Sequence, residues 1–126
     1  NIETRLIEGS KTIKRLESMA DRLLLDVPCS GIGVIKRNPD AKWKLGPEFL
    51  ERTKELQQKI LSEYSAMTKV GGMMVYSTCS ILPSENRNQV DTFLAGNKNF
   101  EFIKDKSIFP SQGFDGFYMA LLKRIK

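Results

Sequence analysis

Two thiols and one carboxylate are the side chains best placed for chemistry. Cys29 closes the stretch Leu23-Leu-Leu-Asp-Val-Pro-Cys-Ser-Gly31, and Cys79 closes Met73-Met-Val-Tyr-Ser-Thr-Cys-Ser80. Asp26 ends the apolar part of the first stretch. The chain contains no histidine. That removes Cys-His and Ser-His-Asp catalysis, histidine-ligated metals and a histidine pH switch. A nucleophilic thiol must be partly ionised, and what remains to help it is a helix N-terminus, a nearby cation or backbone N–H groups. Cys79 lies shortly before an expected helix, and Arg37 is the cation expected across from it. A carboxylate at the end of a buried strand must be paired, hydrogen-bonded or protonated. The plainer readings are two inert thiols, a structural disulfide, and Asp26 as the cap of a turn.

The elements that position these groups follow from hydrophobic pattern. Each cysteine stretch is a continuous apolar run of strand length, the signature of a strand buried on both faces. Between them Pro47 opens a long amphipathic helix whose expected core stripe is Phe49, Thr53, Leu56, Ile60, Tyr64 and Met67, ending before Gly71-Gly72. Strand, helix, strand is a βαβ unit with parallel strands, so both thiols and Asp26 should meet at one edge of the sheet. Ligands of open α/β sheets bind at that edge.

The remaining chain supplies further elements. Thr4–Glu8 reads as a short strand, Ser10 as the N-cap of a helix reaching Asp21, and Arg22–Val27 as the first cysteine-bearing strand. Pro83 and Ser84 open another helix with Val90, Phe93 and Leu94 inward, closed by Gly96-Asn97. Phe100–Lys104 and Phe117–Lys123 are the last strands. Residues 35–46 are basic and contain Asn38-Pro39 and Trp43, the only tryptophan. They read either as a solvated loop with Trp43 folded down, or as a nucleic-acid contact through Lys36, Arg37, Lys42, Trp43 and Lys44.

The totals are consistent with one domain. At 126 residues the chain suits one core. Its net charge of +5 permits an RNA partner without requiring one. No apolar run is long enough to span a bilayer, and no metal pattern involves the cysteines. Thiol plus carboxylate, without histidine or metal, admits covalent activation of a pyrimidine, in which sulfur adds to C6 and C5 becomes nucleophilic. Spacing alone does not select that reaction.

Asp26-Val-Pro-Cys-Ser-Gly31, continuing to Arg37-Asn-Pro-Asp40 and Lys42-Trp43, resembles motif IV of the RNA cytosine-5 methyltransferases of the Sun (Fmu) and NOP2/Sun family. Tyr76-Ser-Thr-Cys-Ser80 with Pro83-Ser-Glu-Asn86 resembles motif VI, and Asp115–Lys123 is similar to the family's last strand. The resemblance implies a Rossmann-like fold, S-adenosylmethionine as cofactor and an RNA partner, ribosomal or transfer. It implies Cys79 as nucleophile toward C6, Cys29 in product release and Asp26 at the base, with Asp26 and Pro28 toward the cofactor. DNA cytosine-5 methyltransferases use a Pro-Cys of the Pro28-Cys29 type instead; Ser77-Thr-Cys-Ser80 favours the RNA family and Cys79.

A complete member of that family carries a glycine-rich cofactor loop upstream, and no such run occurs here. The chain is therefore read as residues 1–126 of one domain, the C-terminal portion of a catalytic domain cut at about its third strand. In the family's sheet order, 3-2-1-4-5-7-6, the missing strands would bare an edge. Thr4–Glu8 is expected to pair beside Leu23–Val27, giving about five strands, mostly parallel, with the last antiparallel. The fragment is expected to be monomeric, cytoplasmic and inactive alone. The alternative is a basic, non-catalytic RNA-binding module.

Overall fold

The computed structural model describes residues 2–7 and 9–126, with Lys44 described through its backbone. Strand β1 (Ala20–Asp26) pairs in parallel with β2 (Thr68–Thr78). Strand β4 (Phe117–Arg124) runs antiparallel between β2 and β3 (Phe100–Ile108). The order β1-β2-β4-β3 reproduces the 4-5-7-6 end of the expected sheet, with only the last strand reversed. Helix α1 (Ser10–Arg15) precedes β1; the short α2 (Ala41–Lys44) and long α3 (Pro47–Tyr64) join β1 to β2; α4 (Arg87–Gly96) precedes β3.

Helices α3 and α4 cover one face of the sheet. Leu61, Val90 and Phe93 meet Leu25, Met74, Tyr76, Tyr118, Ala120 and Leu122 there, and all are buried. The alternate residues point the other way. Leu24 is 66% exposed, and Val75, Met119 and Leu121 are only half-buried. That second apolar face has no layer over it among the described residues.

Several expectations need correction. The sheet has four strands among the described residues, not five. Residues 2–7 form no strand, and Ile2 and Leu6 are exposed; Glu8 lies outside the described residues. Residues 8–19 separate that segment from β1, about the shortest length a parallel crossover can have, and α1 occupies six of them. Ser10 is the first helical residue, after Gly9, and α1 stops at Arg15 rather than Asp21. On α3 the buried line is Thr53, Gln57 and Leu61, whereas Phe49 and Leu56 are exposed. Gln57 turns inward because polar partners wait for it, which hydrophobic spacing does not register. Gly71-Gly72 does not follow a helix. It lies within β2, where the register jumps from Ala20↔Thr68 to Arg22↔Met73. Gly71 there adopts φ +81°, a conformation that favours glycine.

Candidate active site

Both cysteine stretches leave the sheet at the same edge. Asp26, the last residue of β1, lies opposite Ser77 of β2, and Ser77 Oγ donates to its carboxylate at 3.2 Å. Beyond these strand ends the sulfurs of Cys29 and Cys79 approach to 3.1 Å. A disulfide would require about 2.05 Å, and both cysteines are free thiols. Burial, followed by the hydrogen bond with Cys79, pushes the Cys29 thiol from 9.0 up to about 12. Either sulfur can be the donor in this contact. The expected helix N-terminus is further off: a three-residue 3-10 turn, Pro83–Glu85, follows Cys79, and α4 opens only at Arg87. Arg37 is also engaged elsewhere, in an ion pair with Asp115.

Beneath the sulfurs lies a group that pattern reading missed. Glu85 is fully buried. Its Oε1 accepts from the Ser30 backbone N–H at 2.7 Å and from Gln57 Nε2 at 3.2 Å. Its Oε2 accepts from the hydroxyls of Ser30 at 2.5 Å and Ser80 at 2.6 Å. These serines are the residues that follow Cys29 and Cys79. Tyr76 OH donates to the Glu85 carbonyl at 2.6 Å. In sequence Pro83-Ser-Glu-Asn86 reads as a helix start; the one available signal is a carboxylate five residues after Ser80 of the second Cys-Ser pair.

Above the sulfurs three loops meet backbone to backbone. Gly33 N–H donates to the Cys79 carbonyl at 3.0 Å, and Gly116 N–H donates to the Gly33 carbonyl at 2.8 Å. Beside this seam is a cleft of about 520 Å³ lined by Gly33, Lys36, Arg37, Phe114 and Asp115, among others. Phe114 is 72% exposed there, and the sequence reading did not single it out. Lys36 and Arg37 border that cleft. Lys42 and Trp43 stand apart on α2. The Lys42 ammonium lies 4.8 Å from the Trp43 ring centroid, and Trp43 is 80% exposed rather than folded down. Pro28 is exposed beside Asp26. Only the backbone of Lys44 is described. Thus Cys29, Cys79 and Asp26 share one rim, while the basic residues divide between the cleft and α2.

Residues 2–123 match the family described as 16S rRNA methyltransferase RsmB/F. The chain belongs to this family. Among its RsmB/F relatives, ribosomal RNA small subunit methyltransferase B of Yersinia enterocolitica is 41% identical over 82% of the chain and 26% of its own length. The protein of the same name from Vibrio cholerae is 36% identical over 97% of the chain and 34% of its own length. The chain thus spans about a quarter to a third of these RsmB/F relatives. NSun6 from Pyrococcus horikoshii, solved with SFG, shares the fold with a TM-score of 0.80 at 24% identity, over 96% of this chain and 34% of that one. The cysteine stretches, Glu85 and both glycines of the seam all fall within the region matched to the RsmB/F family.

Proposed function

We propose that the chain is the C-terminal portion of the catalytic domain of an RNA methyltransferase acting at C5 of cytosine in ribosomal RNA. The observation that carries this reading is the 3.1 Å approach of Cys29 and Cys79 at the C-terminal ends of two parallel strands, in an RsmB/F chain. The uncovered sheet face at Leu24, Val75 and Leu121 supports the domain assignment, because such a face needs a further layer.

In the mechanism, the Cys79 sulfur adds to C6 of the cytosine, and the ring's π electrons shift toward N3 and C5. Asp26 faces outward, its carboxylate bonded only to Ser77 among the described residues, with acceptor capacity left for the base edge. After C5 is alkylated, a water molecule takes its proton, the electrons of that C–H bond re-form the C5–C6 double bond, and the Cys79–C6 bond breaks with its electron pair on sulfur. At this step Cys29 donates to the Cys79 sulfur 3.1 Å away, which stabilises that sulfur as a leaving group. The exposed Asp26 and Pro28 fit one side of an S-adenosylmethionine site. When bound, S-adenosylmethionine supplies the methyl group. Lys36, Arg37, Lys42, Trp43 and Lys44 are assigned to the RNA, and the setting is the cytoplasm. Without the rest of the domain the chain binds cofactor weakly or not at all.

The test uses the intact polypeptide that carries this chain, with RNA containing 5-fluorocytosine, whose C5 fluorine blocks the elimination. The wild type should form a denaturation-stable protein–RNA adduct and Cys79→Ala none. On ordinary RNA, Cys29→Ala should accumulate adduct. Salt-dependent RNA binding without any adduct would replace the enzyme reading with a basic RNA-binding module.

A further inference from the structure

We propose that Glu85 is the positioning residue that holds the two sulfurs in register. The case rests on where its carboxylate bonds go. Ser30 and Ser80 are adjacent in chain to Cys29 and Cys79, and both hydroxyls converge on Glu85 Oε2, at 2.5 and 2.6 Å. The Ser30 backbone N–H converges on Oε1. One carboxylate therefore bridges two loops that are about fifty residues apart in sequence, each anchored one residue from a thiol. Without that bridge, two hydroxyls and an N–H in a site closed to water would each need a new partner.

Gln57 sets the carboxylate in place. Its Nε2 donates both to Glu85 Oε1 at 3.2 Å and to the Pro28 carbonyl at 2.9 Å. Its own Oε1 is buried with no hydrogen-bond partner among the described residues. Turning the amide over would point that oxygen at two acceptors, so its orientation is dictated by Glu85 and Pro28. A polar atom left unsatisfied in the core is a cost borne for geometry. Tyr76 fixes the other end of the residue through the Glu85 carbonyl. Glu85 has no route to substrate, being fully buried. Its effect passes through Ser30 and Ser80 to the sulfurs.

The role assigned to Glu85 matters for catalysis only if the thiol pair is the reacting group proposed above, but the test reads sulfur geometry alone. Diamide takes two hydrogens from the two thiols, becoming the hydrazine, and leaves a Cys29–Cys79 disulfide, a mass loss of about 2 Da. The closing rate reports how often the sulfurs meet in bonding geometry. In the full chain, Glu85→Ala should slow closure at least tenfold at a pH and temperature where circular dichroism shows it folded. Glu85→Gln keeps the shape, an amide oxygen to accept from the Ser30 N–H and Gln57, and an NH2 that the rotatable Ser30 and Ser80 hydroxyls can accept from, and should recover most of the rate. Val90→Ala, a core truncation in α4, controls for lost stability and should close as fast as wild type. If Glu85→Ala does not fold, Ser30→Ala with Ser80→Ala removes both hydroxyl bonds to Oε2, leaving only the Ser30 N–H bond to Oε1, and should also slow closure. Closure at the wild-type rate in a folded Glu85→Ala or in the double serine variant overturns the proposal. So does equal slowing in Val90→Ala. Failure of the methyltransferase reading would appear in the adduct assay and leave these rates untouched.

Discussion

Gly33→Ala should destabilise the chain by about 2–4 kcal/mol, although the same exchange at an open position stabilises. A Cβ on Gly33 would stand 2.3 Å from the Gly116 carbonyl oxygen and 2.7 Å from that of Cys79. Both obstacles are backbone and cannot rotate aside. Bringing the nearer contact to 3.0 Å requires the seam to open by about 0.7 Å. The Gly116 N–H bond to the Gly33 carbonyl, now 2.8 Å, would stretch to about 3.5 Å, beyond useful hydrogen-bond length. Losing one or two such bonds costs about 1 kcal/mol each, and overpacking adds about 1–3 kcal/mol. Against this stands about 0.4–1 kcal/mol from the reduced freedom of the unfolded chain. Gly96, at the end of α4 with nothing within 4 Å of its virtual Cβ, isolates that last contribution. Urea unfolding of wild type, Gly33→Ala and Gly96→Ala in parallel gives the three free energies. A Gly33→Ala chain within 0.5 kcal/mol of wild type, or one that matches Gly96→Ala, would show that the three loops are not packed as described.

Two further outcomes are expected. Because burial and then the Cys79 bond push the Cys29 thiol up to about 12, the folded chain holds a proton that the unfolded chain, with its thiol at 9.0, releases. Stability from this thiol is whole below pH 9 and falls as pH climbs from 9 toward 12. Urea midpoints measured between pH 8 and 10.5 should therefore decline more steeply in wild type than in Cys29→Ala; equal slopes would refute the assignment. In the intact polypeptide, Lys42→Ala should weaken RNA binding and lower the salt slope by about one, and Trp43→Ala should cost about 1–3 kcal/mol if a base stacks there. An unchanged salt slope would remove α2 from the RNA interface.

Much of the site was legible because its parts lie at strand ends. The apolar runs ending in Cys-Ser and the amphipathic segment between them dictate a parallel pair, and a parallel pair brings Asp26, Cys29 and Cys79 to one edge without reference to any contact. The order of all four strands followed from the resemblance. What stayed hidden has a common cause, polar burial. Gln57 and Glu85 are both fully buried, and hydrophobic periodicity scores each as solvent-facing. That error rotated the expected stripe of α3 onto Phe49 and Leu56, which are exposed. Gly33 reads from sequence as a point where the loop passes close to a ligand, whereas its close neighbour is the Gly116 and Cys79 backbone; Gly116 was silent, because close approach of two loops distant in sequence leaves no local pattern. The first strand failed for a different reason: a connection at the lower limit for a parallel crossover, half of it taken up by α1, leaves little slack to lay a neighbour beside β1.

The two thiols are not held in the same way, and that difference can be read out. Cys29 depends on side chains: the Pro28 carbonyl before it accepts from Gln57, and Ser30 after it bonds twice to Glu85. Cys79 is held from above by the Gly33 N–H at its own carbonyl. From below, Ser80 bonds to Glu85 and its carbonyl accepts from Asn86 Nδ2 at 2.9 Å. Removing Glu85 therefore leaves Cys79 both of these backbone-carbonyl anchors, while Cys29 loses two of Ser30's bonds and keeps the Gln57 bond and the longer Ser30–Ser80 contact. Opening the glycine seam does the reverse, releasing Cys79 while Ser30 stays bound. Iodoacetamide labelling, followed by peptide mass analysis, should show Cys29 altered more than Cys79 in Glu85→Ala, and Cys79 altered more than Cys29 in Gly33→Ala. Such a crossed pattern requires two independent clamps, because simple loosening of the fold would raise both rates together in both variants. If the two thiols respond alike, the rim moves as one unit and the separate roles of carboxylate and seam are wrong.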